Sequence, residues 1–349
     1  MTDTNGSRDL AATTTTRFTV GIPSLNRPEG LMRTLASLQA QSFADFEIIV
    51  ADNSPDSNLR ELVSSRARES RVPLRYAPQP RGGLQQARSR IVVEARGAVI
   101  VLLDDDETAG EDLLRTYDAR FREFPEMAAA GGPYRLTWLD EPPEWIREYI
   151  RGKRELYVWG LYEPYDEPIV RRGGVNLWGG NLAVRREVFQ TTGFRPELYR
   201  GLCWGSGEAG FVKELAEGGA LLGYFPDAIV FHYLLPSRWS IGYVRGAGSH
   251  LGMARSYMHW YPRRRSLAAG LRHAGAVVRR YARSWLKAAY LAASRRPLTP
   301  DNVDTQYVAA IGFYEVYFVW LMLFNPLMKR FLAQTDFRPE ACLDMAADL

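Results

Sequence analysis

Residues 98–103 form an uninterrupted apolar stretch that is followed directly by Asp104, Asp105 and Asp106. A strand that is apolar on both faces requires cover on both sides of its sheet, as in parallel α/β proteins. Strand-like segments at 18–23, 46–51 and 74–76 alternate with segments of helical apolar spacing at 28–41, 59–68 and 84–96. The sequence therefore predicts an α/β domain with a mostly parallel sheet.

The ends of these strands predict a binding site. Ligands of open α/β sheets bind beyond the carboxyl ends of the strands, and the residues there are Pro23, Asp52 and the three aspartates. Two carboxylates one residue apart on a turn can share a divalent cation with a diphosphate. The alternative is a solvated acidic turn or a helix N-cap, where Asp is common.

Charge is distributed unevenly along the chain. The whole sequence has 44 Lys and Arg against 40 Asp and Glu, yet residues 228–300 contain 13 basic residues and no acidic one. The two cysteines form no metal or redox pattern, which is typical of a reducing compartment. Residues 1–16 lack the apolar run of a secretory signal and predict a disordered lead, so we expect a cytoplasmic location.

Six motifs follow one another between residues 17 and 232. They read VGIPSLNR, IIVADNSPD, GGLQQARSR, VIVLLDDDE, WGGNLAVRREVFQTTGF and CWGSGEAGFVKELAEGGALLGYFPDAIVFH. In this order they resemble glycosyltransferase family 2. The resemblance implies a GT-A fold, which is a Rossmann-like nucleotide-binding domain. It also implies inverting transfer of a sugar from a nucleotide-diphosphate donor with a divalent cation, Mn²⁺ or Mg²⁺.

The resemblance assigns roles to the donor-side residues. Pro23 and Asp52 match positions at the nucleotide base, and Arg88 matches an Arg near the diphosphate. In the Asp-x-Asp motif, the first position, Asp104, faces the ribose, and Asp105 is the variable middle. Asp106 is the position that binds the cation and the diphosphate. The alternative for Arg88 is an ion pair with a carboxylate.

The later motifs supply the acceptor side. Gly179, Gly180 and Asn181 match the segment near the donor sugar and the acceptor, and Glu208 matches the catalytic base. The family usually has two adjacent acids there, whereas this chain has Ala209 after Glu208. Glu208 has a second interpretation, as an acid in the first turn of a helix, where the helix dipole favours it.

Three further side chains are candidates with structural alternatives. His232 ends a predicted strand, and we expect it to bind the cation, because imidazole suits Mn²⁺ or Zn²⁺ better than Mg²⁺; a satisfied structural histidine is the alternative. Trp178 and Trp204 flank the predicted site and can stack on a sugar or a lipid, although aromatic residues are more often core.

A basic amphipathic helix is predicted from residue 267 onward. Apolar residues at 267, 271, 274, 278, 281 and 285 share one face, and Arg and Lys occupy the opposite face. The helix can present a solvated charged face, bind an anionic membrane surface or bind nucleic acid; charge alone supports the last, so we expect no nucleic acid. The apolar segment 307–324, with Glu315 as its single charge, favours the membrane. That segment is itself predicted to be buried or interfacial, with a spanning helix as the alternative.

The sequence thus predicts a disordered lead at 1–16, a GT-A domain at 17–235 and a helical, basic region at 236–349. The expected partners are a nucleotide-sugar donor, with UDP favoured by family frequency, and a polysaccharide or lipid-linked glycan acceptor. The expected place is the cytoplasm, peripheral to the membrane. The rival hypotheses are a catalytically inactive sugar-nucleotide or membrane-binding scaffold, and a nucleotidyltransferase.

Overall fold

A computed structural model describes residues 16–56, 59–80, 83–195, 198–199, 202–203, 207–260, 267–294, 298–326, 328 and 338–345. The predicted lead, apart from Thr16, and the candidate Trp204 lie outside these residues. Thr16 is the first residue of the first strand.

Strands and helices alternate over the first half of the chain. The strands are β1 (Thr16–Ser24), β2 (Phe46–Asp52), β3 (Leu74–Pro78), β4 (Gly97–Leu102), β5 (Glu107–Ala109), β6 (Met127–Gly131), β7 (Tyr134–Trp138), β8 (Glu155–Leu156), β9 (Leu161–Tyr162), β10 (Ile169–Arg172), β11 (Leu182–Arg185), β12 (Leu198–Tyr199), β13 (Leu202–Cys203), β14 (Leu221–Tyr224) and β15 (Val230–Leu234). The α-helices are α1 (Pro28–Gln39), α2 (Arg60–Glu69), α3 (Leu84–Glu94), α4 (Leu113–Glu123), α5 (Glu144–Ile150), α6 (Gly207–Glu217), α7 (Ile241–Trp260), α8 (Leu267–Ser294), α9 (Pro300–Phe324) and α10 (Pro339–Met345). Short 3₁₀ helices are η1 (Tyr157–Trp159), η2 (Gly179–Asn181), η3 (Arg186–Gln190) and η4 (Pro236–Arg238).

The main sheet has eight strands in the order β10-β14-β6-β11-β4-β1-β2-β3. Its pairings are parallel except where β11 meets β4 and β6 and where β10 meets β14, so only β10 and β11 oppose the other strands. The sheet is therefore mixed but mostly parallel, as predicted. Together with the helices on its faces it forms a GT-A-like α/β domain, followed by a helical C-terminal region.

Both faces of the sheet are buried. Val99 and Val101 of β4 belong to one hydrophobic cluster, and Ile100 and Leu102 belong to the cluster on the other face. Because side chains alternate along a strand, an uninterrupted apolar run is what two covered faces require.

A second sheet, which the sequence analysis did not identify, lies beyond the acidic turn. Its order is β5-β15-β7-β9-β8, and β15 runs parallel to β7 and antiparallel to β5. The pairing of His232 with Glu107 across β15 and β5 brings the end of the domain against the acidic turn. These strands are two to five residues long, too short to show a clear alternation in the sequence.

Helices α7, α8 and α9 pack on one another through small residues. A Cβ on Gly252 of α7 would lie 2.3 Å from the backbone oxygen of Ile311 in α9, and a Cβ on Gly312 of α9 would lie 2.3 Å from the Tyr281 ring of α8. Glycine at these positions lets the helix backbones approach closely.

Helix α9 contains the apolar segment noted in the sequence. Among the described residues it is the one helix long and apolar enough to cross a membrane, and half of its most apolar 18-residue window is buried inside the protein. Glu315 is buried and lies 3.4 Å from His273 of α8. The carboxylate therefore points into the helical region.

Candidate active site

The strand ends converge as predicted for a parallel sheet. Ser24 is in register with Asp52, and Gly21 with Leu102, so β1, β2 and β4 end at one edge. A cleft of about 800 Å³ opens at this edge. Its lining includes Pro23, Arg88, Asp104, Asp105, Asp106, Gly179, Gly180, Glu208 and His232.

Arg88 connects the acidic turn on one side of the cleft to Glu208 on the other side. Its side chain, 1% exposed, donates to Asp104 at 3.0 Å and to Glu208 Oε2 at 3.1 Å. Gln85, one turn earlier in α3, donates to the same Oε2 at 2.9 Å. Arg88 thus forms the ion pair that was its alternative interpretation. The pair fixes Glu208, which begins α6, opposite the acidic turn.

The two glycines of η2 permit this arrangement. A Cβ on Gly179 would lie 2.5 Å from the Arg88 guanidinium, and a Cβ on Gly180 would lie 2.4 Å from the Glu107 carboxyl group. Both distances are far below van der Waals contact. The Gly-Gly pair therefore allows two long polar side chains to pack against the backbone.

Asp105 is buried beneath the cleft surface. Its carboxylate accepts hydrogen bonds from Ser24 Oγ at 2.6 Å and from Arg27 at 3.1 Å. Burial, which is only partly offset by Arg27 and Ser24, raises the pKa of Asp105 to about 6.

Asp106 is surrounded by cationic groups. Its carboxylate pairs with Arg27 at 3.0 Å and with Arg238, and its Oδ1 lies 3.7 Å from His232 Nε2. Burial by itself would raise the pKa of Asp106, but the neighbouring His232, Arg238 and Arg27 side chains outweigh it and hold the pKa well below its ordinary value. Asp106 is therefore ionised.

Glu107, which sequence reasoning missed, ends the acidic turn. It is buried, and its Oε2 accepts from the Asp104 amide at 2.8 Å. Burial, with the neighbouring charges of Asp104 and Asp106, raises the pKa of Glu107 well above its ordinary value. Glu107 is thus a buried structural support beneath Asp104.

Two predicted donor contacts lie beside the cleft instead of on its lining. Both oxygens of the Asp52 carboxylate accept hydrogen bonds, one from the Ser54 amide at 2.9 Å and the other from Tyr76 at 2.9 Å. Asn181 is fully buried; it accepts from Tyr117 at 2.6 Å and donates to the Ala228 carbonyl at 2.8 Å. In this structure both side chains stabilise the protein around the site.

Aromatic side chains form one wall of the cleft. Trp178 stacks on Tyr162 with ring centroids 4.6 Å apart and also packs near Tyr134 and Tyr157. Trp178 lies on the cleft lining. An aromatic ring at such a position can stack on the apolar face of a sugar.

The C-terminal region contributes residues that the sequence analysis did not select. Arg238 of η4 and Tyr243, His250 and Arg255 of α7 line the same cleft. Arg27, which belongs to the first motif, could have been predicted as a site residue from the sequence, because it follows β1 closely. No local sequence pattern marks the four residues of η4 and α7, because both elements reach the cleft only through tertiary packing.

The chemistry of the site fits a divalent cation. Asp106 Oδ1 and His232 Nε2, 3.7 Å apart, can each lie about 2.1 Å from one ion, and this oxygen and nitrogen pair suits Mn²⁺ better than Mg²⁺. No group of three or more His, Cys, Asp or Glu side chains within the described ranges is placed to hold a metal ion. The remaining ligands would therefore come from the donor and water.

Comparison with known proteins identifies the family. Residues 19–193, half of the chain, match "Glycosyl transferase family 2", and the chain belongs to this family. Its relatives include "Succinoglycan biosynthesis protein ExoM" of Rhizobium meliloti, 26% identical over 66% of this chain and 71% of the relative. A second relative is "Glucosyl-dolichyl phosphate glucuronosyltransferase" of Haloferax volcanii, 25% identical over 49% of this chain and 52% of the relative.

Solved structures with a similar outline include a mannosyltransferase, PcManGT, from Pyrobaculum calidifontis in complex with GDP-Man and Mn²⁺. It is 16% identical, with a TM-score of 0.49, over 97% of this chain and 82% of that chain. Another is TarS from S. aureus in complex with UDP-GlcNAc, 12% identical, with a TM-score of 0.47, over 86% of this chain and 90% of that chain.

Proposed function

We propose that this protein is an inverting glycosyltransferase that moves a sugar from a nucleotide-diphosphate sugar to a hydroxyl acceptor. The observation that carries the proposal is the Arg88 bridge, which holds Glu208 across the cleft from Asp104 and Asp106. One-step inversion needs a base on the acceptor side and charge stabilisation on the side of the departing diphosphate. The cleft has a candidate for each.

Glu208 is the proposed base. Arg88 and Gln85 both contact its Oε2, which leaves Oε1 to accept the proton of the acceptor hydroxyl. Inversion needs no covalent bond between sugar and enzyme, so a single carboxylate is sufficient. The alanine at position 209, where the family usually has a second acid, therefore does not by itself exclude catalysis.

The acidic turn is the proposed donor side. Asp104 would face the ribose, and Asp106 with His232 would hold the cation of an Asp-x-Asp motif. That cation would neutralise charge on the leaving diphosphate. Arg27 and Arg238 add positive charge at the same place. UDP is the favoured nucleotide because it is frequent in the family.

The proposed acceptor is a polysaccharide or a lipid-linked glycan. The names of the two relatives support this choice, one through succinoglycan biosynthesis and the other through a dolichyl phosphate sugar. The aromatic wall around Trp178 offers a surface on which an acceptor sugar can stack.

Helix α8 supports a further part of the proposal, binding to the cytoplasmic face of an anionic membrane. Its contact with α9 centres on Val277 and Tyr281, which are buried. The predicted apolar face is therefore only partly covered, and its members Leu267 and Leu271 remain 53% and 55% exposed. Exposed apolar residues next to exposed arginines are typical of a helix that lies in a membrane interface.

The test of activity compares Glu208→Gln with Glu217→Gln, an exposed acid on the same helix. Wild-type protein is first screened by thermal shift against UDP-, GDP-, dTDP- and CMP-sugars with Mn²⁺ and with EDTA, since a ligand of the native state raises the Tm. With the donor that binds, we expect Glu208→Gln to keep the thermal shift but to slow nucleoside diphosphate release about 10²- to 10⁴-fold.

The control Glu217→Gln should match wild type in both measurements. Wild-type binding without turnover, and no effect of Glu208→Gln, would favour the inactive scaffold. A Glu208→Gln variant as fast as an active wild type would show that another group is the base.

A further inference from the structure

Arg238 contacts both of the side chains proposed to hold the cation. Its Nη1 lies 2.8 Å from His232 Nε2, and its Nη2 donates to Asp106 Oδ2. The Arg238 side chain is largely buried, and its backbone carbonyl accepts from Trp159 Nε1 at 3.2 Å. The guanidinium is therefore held in the cleft by contacts at both ends of the residue.

The hydrogen bonds of His232 show which of its ring nitrogens accepts a hydrogen bond from Arg238. His232 Nδ1 lies 2.9 Å from the Trp159 carbonyl oxygen, which can only accept, so Nδ1 carries a proton. In the neutral ring Nε2 is then the acceptor, and Arg238 Nη1 donates to it. This is the same lone pair that a metal ion would need.

A metal cation and the Arg238 guanidinium cannot both occupy the position beside Asp106 and His232. Both are positive, and within a mostly buried site two like charges in contact repel strongly. Arg27 differs, because it pairs with Asp105 and Asp106 but has no contact with His232 among the described interactions. Of the residues that the structure describes, Arg238 alone contacts both proposed ligands.

We propose that Arg238 holds the cation position in the donor-free protein and moves onto the diphosphate of the donor when donor and cation enter. This inference rests on the proposed function. A planar guanidinium with several donors matches diphosphate oxygens well, and Arg238 already lies on the cleft lining. The residue thus couples donor binding to cation binding.

The proposal predicts that removal of the Arg238 guanidinium changes cation affinity and donor affinity in opposite directions. Removing the guanidinium frees Asp106 and His232 for the metal, so cation binding without donor becomes tighter. It also removes a contact to the diphosphate, so donor binding becomes weaker. A residue that only stabilised the fold would weaken both.

The experiment uses the whole 349-residue chain and Mn²⁺ alone as the first probe. Free Mn²⁺ is followed by electron paramagnetic resonance in titrations of wild type, Arg238→Gln and Arg238→Lys without nucleotide. We expect Arg238→Gln to bind Mn²⁺ about tenfold more tightly, because a competing occupant has been removed. The nucleotide sugar that the thermal-shift screen identifies is then titrated by calorimetry at saturating Mn²⁺. It should bind Arg238→Gln about tenfold more weakly than wild type.

Two variants serve as controls. Arg238→Gln combined with His232→Gln should lose the gain in Mn²⁺ affinity, because one of the freed ligands is gone. Arg115→Gln, a change at an exposed arginine on α4, should match wild type.

Arg238→Lys keeps a positive charge but not the two-point contact. Its Mn²⁺ affinity and donor affinity should fall between those of wild type and Arg238→Gln.

Unchanged or weaker Mn²⁺ binding by a folded Arg238→Gln variant would overturn the proposal. Tighter Mn²⁺ binding with unchanged donor affinity would overturn the transfer to the diphosphate. If no nucleotide sugar binds wild type, the proposed function fails, whereas the Mn²⁺ titration still decides whether Arg238 holds the cation position.

Discussion

Four consecutive acids, Asp104, Asp105, Asp106 and Glu107, have four different environments. Asp104 is partly exposed and pairs with Arg88, and Asp105 is buried with a raised pKa. Asp106 is ionised beside two arginines, and Glu107 is fully buried with a pKa raised well above its ordinary value. Chemically similar neighbours thus differ because the backbone turn points each side chain into a different part of the protein. At this scale, burial and partner charge determine the contacts and the pKa of each acid more than residue type does.

The raised pKa of Asp105 predicts a pH-dependent contribution to stability. The folded protein keeps a proton on Asp105 up to about pH 6, whereas an unfolded Asp loses it near pH 4. Between these values the native state binds more protons, so this contribution to the free energy of unfolding falls as the pH rises. The substitution Asp105→Asn removes this pH-dependent contribution.

Urea unfolding of wild type and Asp105→Asn at pH 4 and pH 7 measures this effect. The free energy of unfolding of the variant minus that of wild type should rise by roughly 2–3 kcal/mol between the two pH values. Loss of the Arg27 contact adds an offset at both pH values and does not produce the trend. A difference that stays constant or falls would contradict the prediction.

At the scale of elements, helix packing depends on where each glycine lies. Gly246 and Gly252 both belong to α7, yet a Cβ on Gly246 meets no atom within 4 Å, whereas one on Gly252 collides with the Ile311 carbonyl of α9. The same residue type therefore permits close packing at one site and only weakens the helix at the other.

The matched pair Gly252→Ala and Gly246→Ala tests this difference. Gly252→Ala should lower the free energy of unfolding by about 1–3 kcal/mol, because α7 and α9 must separate. Gly246→Ala should raise it by up to about 1 kcal/mol, the helix propensity gained over glycine. Both are read from denaturant unfolding of the whole protein. Equal effects of the two changes would show that α7 and α9 are not in close contact.

At the scale of the whole molecule, one helical region serves both the cleft and the outer surface. Helix α7 contributes His250 and Arg255 to the cleft lining, and α8 exposes apolar and basic residues on the outside. Within the described ranges Arg279 and Arg283 have no ion-pair partner. This arrangement would place the cleft next to a membrane that carries the acceptor.

Vesicle binding tests that arrangement. Arg279→Gln with Arg283→Gln should weaken sedimentation with phosphatidylglycerol vesicles about tenfold or more, because each basic residue near an anionic surface contributes about 1 kcal/mol. The control is Arg115→Gln with Arg122→Gln, two exposed arginines on α4, which should sediment like wild type. Equal loss in both double variants, or wild-type binding to neutral phosphatidylcholine vesicles at the same strength, would contradict a specific role of α8.

Much of the fold was predictable from the sequence because the pattern that encodes it is local. The apolar run of β4 and the strand–helix alternation before it predicted a mostly parallel sheet, and the family confirms the class of the domain. The second sheet was missed because its strands are too short for their alternation to be seen. The division at residues 17–235 and 236–349 and the roles of the site residues stay predictions.

The sequence by itself determined which side chains leave the parallel strands, because register and direction bring strand ends to one edge. Only the tertiary structure decided what those side chains do. It turned Asp52 and Asn181 into the protein, placed Arg88 between Asp104 and Glu208, and brought Arg238 from beyond the last strand onto Asp106. The physical reason is that burial and ionic pairing depend on residues far apart in the chain, which no local pattern records.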